Sequence, residues 1–417
     1  MTKMHRKYGI VTAVSIVVGS VIGSGVFFKS EGVTRITDGD IRISLIAWIT
    51  GALVMLSCLL TFAKITEKYA SEGGLYKVTK KMTGERYSHF TGFFMATVYY
   101  PSLVSVLSYL TAKYTLLVFG VESGILCFFL SLFFLAVSFL QNSYSPHLSG
   151  RVQLVATFVK LIPLLLMIML GIPKGELTTN LAVKSSATLQ GAFFPSVTAT
   201  LFAYEGWISA TSVGNNLKNT EKNLPRALII GGVIITAVYI LYYLGIMGAV
   251  SSRTLINYGT EGVKIAFSNI LGRWGAFLTV FVAISCYGAL NALVMGCGNS
   301  VGEVFKKRSL SPYFAGFIIS LFWLFYLFVE QGGSLGKFRF DSTELPVVTV
   351  YVLYIPIFIS FAKNEKNLKT TLLCLGGICA SLFAVICGFL AHIGELSSYL
   401  AMLLSVFLFS NVFRKKR

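Results

Sequence analysis

Charge is what this sequence has least of. Of 417 residues only 12% are charged, and the acidic ones number 17. With 55% hydrophobic residues and a mean hydropathy of +0.75, the apolar residues cannot be confined to the core of a soluble domain. Histidine is nearly as scarce. Its four copies (His5, His89, His147 and His392) lie at the chain start, in loops or at a span end. They show no HExxH spacing and no Ser/His/Asp set that would share one depth. No phosphate-cradling Walker pattern occurs, so no enzyme chemistry, cofactor or nucleotide-driven pumping is implied. The seven cysteines all fall inside apolar runs and suggest no disulfide framework. Cys374 and Cys379, five residues apart, turn to separate faces of a helix and have no His or carboxylate beside them. They read as packing residues, not as a metal site. The start, MTKMHRKYG, leads into a long apolar run without a small-residue cleavage site and reads as retained, not as a signal peptide.

Long apolar runs are what the chain has in abundance. Stretches of about 20 apolar residues predict twelve membrane spans. They lie near 9–30, 43–63, 91–119, 123–140, 151–172, 190–214, 226–250, 272–300, 311–329, 345–361, 370–392 and 394–413. The loops are short, which predicts an all-α polytopic membrane protein with no extramembrane domain. The net charge of +18 then needs a reading, and the position of the cations supplies it. With the N-terminus placed inside, 23 of the 35 Lys and Arg residues fall in inner segments and 10 in outer loops. This follows the positive-inside rule and puts both termini in the cytoplasm. Clusters such as Lys306, Lys307 and Arg308, and Arg414 to Arg417, are topology determinants facing anionic lipid, not a nucleic-acid footprint.

Two spans carry an internal contradiction. Residues 17–30, VVGSVIGSGVFFKS, place Gly19, Gly23 and Gly25 inside span 1, where each glycine costs a helix about 1 kcal/mol against alanine. An unwound stretch at such depth is tolerable only where it lines a cavity. Freed amides at Gly23, Ser24 and Gly25, opening the half-helix that follows, suit a carboxylate. Gly19 and Gly23 also spell a small-xxx-small packing face, so span 1 alone leaves both readings open. Residues 201–216, LFAYEGWISATSVGNN, put Glu205, Gly206 and Trp207 near the middle of span 6. Interruptions in spans 1 and 6 are what two inverted five-span repeats with a midplane ligand site would show.

The stretch GSVIGSGVFF, the stretch LFAYEGW followed by LKNTEKNLPRALIIGG (217–232), and QLVATFVKLIPLLLMIMLGI (153–172) together resemble the amino acid-polyamine-organocation permeases. The chain is most similar to the L-amino acid transporter branch that includes bacterial serine/threonine and alanine/serine exchangers. The likeness covers spans 1 to 8, with SEGGLYKVTKKMTG in loop 2/3, and is weaker over spans 9 to 12. It implies a LeuT-like fold: spans 1–5 (9–172) and 6–10 (190–361) as inverted repeats of one transporter domain, plus spans 11 and 12 (370–413). It implies that Val21, Ile22, Gly23, Ser24 and Gly25 in span 1, with Phe202, Ala203, Tyr204 and Glu205 in span 6, form the substrate site. The span 1 amides would hold the substrate carboxylate. The carbonyls of Val21, Phe202 and Glu205 would hold its ammonium, with Ala203 and Tyr204 continuing the unwound stretch. Phe202 matches an aromatic gate, against ordinary packing among 34 phenylalanines. Asn291 in span 8 (YGALNALVMGC, 287–297) matches a family asparagine near the substrate, against interhelical hydrogen bonding.

Lys160 lies mid-span, too deep to snorkel to either surface. It is either neutralised by desolvation or, as the resemblance implies, an ammonium standing where sodium-coupled relatives bind a cation, bracing the span 1 break. Sodium-independent transport follows from the second reading. Glu205 departs from the commoner Asp or Gly of its motif and has three readings: a partner for a basic substrate, a proton-titrating site, or a structural acceptor. Tyr99, Tyr100 and Pro101 of span 3 either line the path or pack. The NLPR stretch, Asn223 to Arg226, is expected to open span 7, with the proline in its first turn. Loop 3/4, close to GVES at 120–123, lacks the cysteine through which eukaryotic members pair with a heavy subunit, so a bacterial plasma-membrane protein without a covalent partner is expected. The function expected is secondary L-amino-acid transport by alternating access. The alternatives are a non-transporting amino-acid sensor on the same fold and a cationic amino-acid or polyamine antiporter.

Overall fold

Lipid cannot satisfy backbone N–H and C=O groups, so an apolar chain of this length must satisfy its own, and helices do so within each segment. The computed structural model describes residues 9–23, 25–69, 74–144, 157–183, 189–305, 311–332, 339–365 and 367–415. Among them are helices and turns and no β-strand. Ser24, Lys306, Lys307, Arg308, His5 and His147 lie outside the described residues.

Span 1 is two helices, α1 (Ile10–Val21) and α2 (Gly25–Ile36). Span 2 is α3 (Ile41–Tyr69), followed by a loop helix, α4 (Gly74–Thr83). Spans 3, 4 and 5 are α5 (Glu85–Val118), α6 (Gly124–Tyr144) and α7 (Thr157–Lys174). A short α8 (Glu176–Ala182) precedes span 6, which is α9 (Leu189–Ala203) followed by a 3-10 segment, Trp207–Asn216. Span 7 is α10 (Thr220–Ala249), and α11 (Ser252–Tyr258) and α12 (Thr260–Leu271) form the next loop. Spans 8 to 12 are α13 (Gly275–Val304), α14 (Pro312–Gln331), α15 (Leu345–Glu365), α16 (Leu368–Ala391) and α17 (Leu396–Lys415).

Eleven helical stretches among the described residues are long and apolar enough to cross a membrane, and they match the predicted spans apart from the sixth. The exception has a physical cause. The 15 residues of α9 rise about 22 Å at 1.5 Å each, short of a hydrocarbon core of about 30 Å. The break, not a lack of apolar residues, removes span 6 from the count.

Span 7 corrects one expectation. Its helix opens at Thr220, after Asn219 in a left-handed conformation, so Pro225 sits inside the helix and not in the first turn. The carbonyl that Pro225 cannot serve belongs to Glu221, an exposed residue whose backbone water can reach.

Aromatic side chains fill the centre. Trp48 of α3 meets Tyr204, Tyr239 and Tyr243 at ring-centroid distances of 5.7, 5.9 and 6.0 Å, and Phe62 meets Trp207 and Tyr354 at 5.4 and 4.8 Å. Leu53, Phe129, Phe322, Leu372 and Leu404 stay exposed on the outside of the bundle, as residues that face lipid do.

Candidate functional site

The break in span 1 begins where Ile22, at φ −68° and ψ 102°, leaves helical geometry while its N–H still donates to Val18 O at 2.8 Å. Ile22 and Gly23 are non-helical, and the helix resumes at Gly25. The loosened carbonyls find donors on other spans. Lys160 Nζ, on the wholly buried side chain of α7, donates to Gly19 O. Tyr239 Oη of α10 donates to Val21 O at 2.9 Å. An unpaired backbone carbonyl in apolar surroundings costs several kcal/mol, so these two side chains allow α1 to end at this depth.

The break in span 6 follows the same logic. Helix α9 continues through Ala203, so Phe202 and Ala203, expected in the unwound stretch, are still helical, and the irregular stretch is Tyr204 to Gly206. Glu205 N donates to Phe202 O at 3.2 Å, and Ser209 N to Gly206 O at 3.1 Å as the 3-10 segment starts. Gly206 has φ +110°, and a Cβ there would lie 2.6 Å from Ser20 O. At Gly25 a Cβ would lie 2.9 Å from the Ala203 Cα. The two interruptions therefore touch each other, backbone against backbone, and only glycine permits the approach.

Glu205 is 5% exposed. Its Oε1 accepts a hydrogen bond from Tyr99 Oη at 2.8 Å. Tyr99 closes a π-helical turn, Met95–Tyr99, which re-aims the side chains of α5. Glu205 Oε2 has no hydrogen-bond partner among the described residues, nor do the hydroxyls of Tyr204, Tyr351 and Tyr354 or the Trp207 indole N–H. Buried polar atoms are rarely left so.

Phe202 is 7% exposed, with the Lys29 ammonium 4.8 Å from its ring centroid. Asn291 is buried on α13, and its Oδ1 accepts from Asn142 Nδ2 at 2.5 Å and Ser138 Oγ at 3.3 Å, both on α6. The structure thus brings Val21, Ile22, Gly23, Gly25, Ala203, Glu205 and Lys160 to one place and turns the Asn291 amide toward span 4. Tyr239 and Lys29 were not singled out from sequence. One is a tyrosine among 20 in no motif, and the other sits at a span end where a loop cation is ordinary.

Two apolar helices broken where they meet, with their loose backbone bonded from other spans, define a membrane transporter with a LeuT-like fold. The fold matches a crystal structure of MhsT in complex with L-phenylalanine, with a TM-score of 0.66 over 91% of this chain and 98% of that one at 13% identity. The chain belongs to the amino acid permease family, whose model matches residues 8–410. It is 31% identical to the serine/threonine exchanger SteT of Bacillus subtilis over 87% of this chain and 86% of that protein. It is 28% identical to the human cystine/glutamate transporter over 69% of this chain, and spans 59% of that longer protein. With the mouse large neutral amino acids transporter small subunit 2 the identity is 28%, over 75% and 58%. The protein is a secondary amino-acid transporter and not an enzyme.

Proposed function

We propose that a free L-amino acid binds between the two breaks and is carried without sodium, by exchange or with a proton. The observation that carries this reading is the buried Lys160 Nζ donating to Gly19 O, at a break where a cation would otherwise be needed to satisfy carbonyls. The substrate carboxylate meets the amide end of α2 at Gly23, Ser24 and Gly25, and Ile22 shapes the turn. The ammonium meets the carbonyls of Val21 and Phe202. Each already accepts one hydrogen bond and keeps a second lone pair. The Phe202 ring covers the bound substrate, Ala203 and Tyr204 form the wall behind it, and Asn291 stands at the span 8 side.

A second reading concerns Glu205. Its unpartnered Oε2 among phenols favours a proton or a cationic side chain as ligand over a purely structural role. We place the protein in the plasma membrane of a bacterium, both termini inside, as one domain of two inverted repeats with no covalent heavy subunit.

Counterflow in proteoliposomes tests the function. Vesicles loaded with serine, threonine or alanine are expected to accelerate uptake of the labelled amino acid, equally in sodium and in choline. Saturable binding without flux would instead identify a sensor, and a large loss in choline would reject sodium independence. A thermal-shift screen over the twenty amino acids, with and without Glu205→Gln, identifies the ligand, since binding to the native state raises its apparent stability. Stabilisation by arginine or lysine that vanishes in Glu205→Gln would establish the cationic reading.

A further inference from the structure

Close packing leaves a helical bundle few voids larger than a water molecule. Near the end where α5 finishes and α13 begins, however, α5, α6 and α13 enclose a cavity of about 350 Å³, the size of a small-ligand site. Its walls are almost wholly apolar, and the hydroxyls among them spend their hydrogens within the protein. Thr111 Oγ1 donates to Leu107 O and Thr115 Oγ1 to Thr111 O, both at 2.7 Å, and Tyr287 Oη donates to Gln141 Oε1 at 2.9 Å. Water there would find few partners, so the walls favour hydrocarbon. The cavity opens to the lipid side, because Phe119 and Ile284 on its rim are 74% and 42% exposed. Two cations stand at the same end. Lys264 of α12 donates to Leu117 O at 3.3 Å, beside the wall residue Val118, and an ammonium carries three N–H donors. Arg273 lies in the turn that opens α13, seven residues before the wall residue Val280, with its guanidinium 5.9 Å from the exposed Trp274 ring. Glu122 and Glu261 are near in sequence, yet among the described residues neither cation is in an ion pair.

We propose that this cavity is a phospholipid site: one acyl chain enters between α5, α6 and α13, and the phosphate sits at Lys264 and Arg273, with Trp274 at the headgroup level. Both halves of the molecule are used. A free phosphate has no chain to bury, and an alkane has no charge to pair. The chain lies beside Phe134 and Tyr287, whose ring centroids are 5.8 Å apart, one turn from the bond of Ser138 to Asn291. Filling that space with contacts sets the distance between spans 4 and 8, so the lipid serves as a fixed part of the bundle. Nothing in this role depends on transport.

Native mass spectrometry of the full chain in detergent, titrated with phosphatidylglycerol bearing palmitoyl and oleoyl chains, reads the lipid retained per protein. The wild type is expected to saturate at one tightly held lipid. Ala283→Phe, which fills the cavity from α13, and Ile284→Trp, which blocks its rim, should each weaken that binding by about tenfold or more, as losing the burial of a few methylenes would. Lys264→Gln combined with Arg273→Gln should weaken it by about fivefold or more, and Lys264→Arg, which keeps the cation, should retain it. Wild-type retention in both Ala283→Phe and Ile284→Trp would overturn the site. Loss in those two, with wild-type retention in the double glutamine variant, would reduce the occupant to an apolar filler and overturn the phospholipid. If Ala283→Phe fails to fold, Ile284→Trp on the exposed rim decides alone. A dimer seen in place of the lipid, and split by Ile284→Trp, would assign the surface to a second copy of this chain and overturn the proposal too.

Discussion

Single residues carry the chemistry here because each stands where lipid offers no alternative partner. Lys160 is the clearest case. Its Nζ donates to Gly19 O, and truncation would leave that carbonyl buried and unpaired, at about 1–3 kcal/mol. Lys160→Ala is therefore expected to slow counterflow by about tenfold or more, a factor corresponding to about 1.4 kcal/mol. Wild-type flux in that variant would reject the bracing role. The buried cluster of Lys29, Glu344 and His392 gives stability a pH dependence whose sign can be worked out. His392 faces Glu344, Glu395 and Asp341; burial opposes its charge, but the bond to Glu344 and the field of these carboxylates push its pKa above the ordinary value. Burial also opposes ionisation of Glu344, yet Lys29 and His392 hold it down at about 2. The Glu344 contribution to stability is present above the ordinary carboxylate range and lost as pH falls toward that value. The His392 contribution is complete below about 6.5 and lost as pH rises through its raised value. In between, two cations share one carboxylate. Raising pH from about 6 to about 8 should therefore lower the thermal stability of the purified protein, and His392→Gln should remove that dependence. A shift of the opposite sign, or one that persists in His392→Gln, would reject this coupling.

At the scale of the element, the two interrupted helices depend on each other. Neither break is stable alone: α1 ends because spans 5 and 7 supply donors, and α9 ends where Gly206 can turn back against Ser20. A side chain at Gly206 meets two obstacles, a backbone oxygen at 2.6 Å and a φ of +110° that L-residues rarely adopt. Strain of that kind costs about 1–3 kcal/mol. Gly206→Ala is thus expected to weaken substrate binding by about 5- to 150-fold, read as the shift in apparent KM of counterflow, while the helices outside the site are unchanged by circular dichroism. An unaltered KM would show that the breaks do not need to touch. The π-helical turn at Met95–Tyr99 is the third irregular element, and it delivers a hydroxyl to Glu205. A sequence periodicity cannot reveal it, because one extra residue in a turn leaves the apolar pattern of a span intact.

For the whole molecule, the asymmetry of loop cations predicts an orientation and the paired breaks mark the transport fold, and these two kinds of evidence differ in how far sequence carries them. Apolar runs of membrane length had to become helices, whatever their neighbours, because the alternative leaves backbone groups unsatisfied in lipid. The spans, the weak points at Gly23 to Gly25 and at Gly206, and the oddity of Lys160 and Glu205 were therefore readable from residue order alone. Local backbone limits also made the start of span 7 misleading, since the NLPR proline lies inside α10 and the preceding residues still fold as helix. What residue order could not supply was the pairing between distant positions. Tyr239 on Val21 O, Tyr99 on Glu205, Asn142 on Asn291 and Lys29 on Glu344 join residues 218, 106, 149 and 315 apart. Such contacts follow from how helices pack and which way each side chain is turned, and a run of apolar residues fixes neither. The bilayer dictates that there be helices; only their arrangement decides which buried polar group answers which.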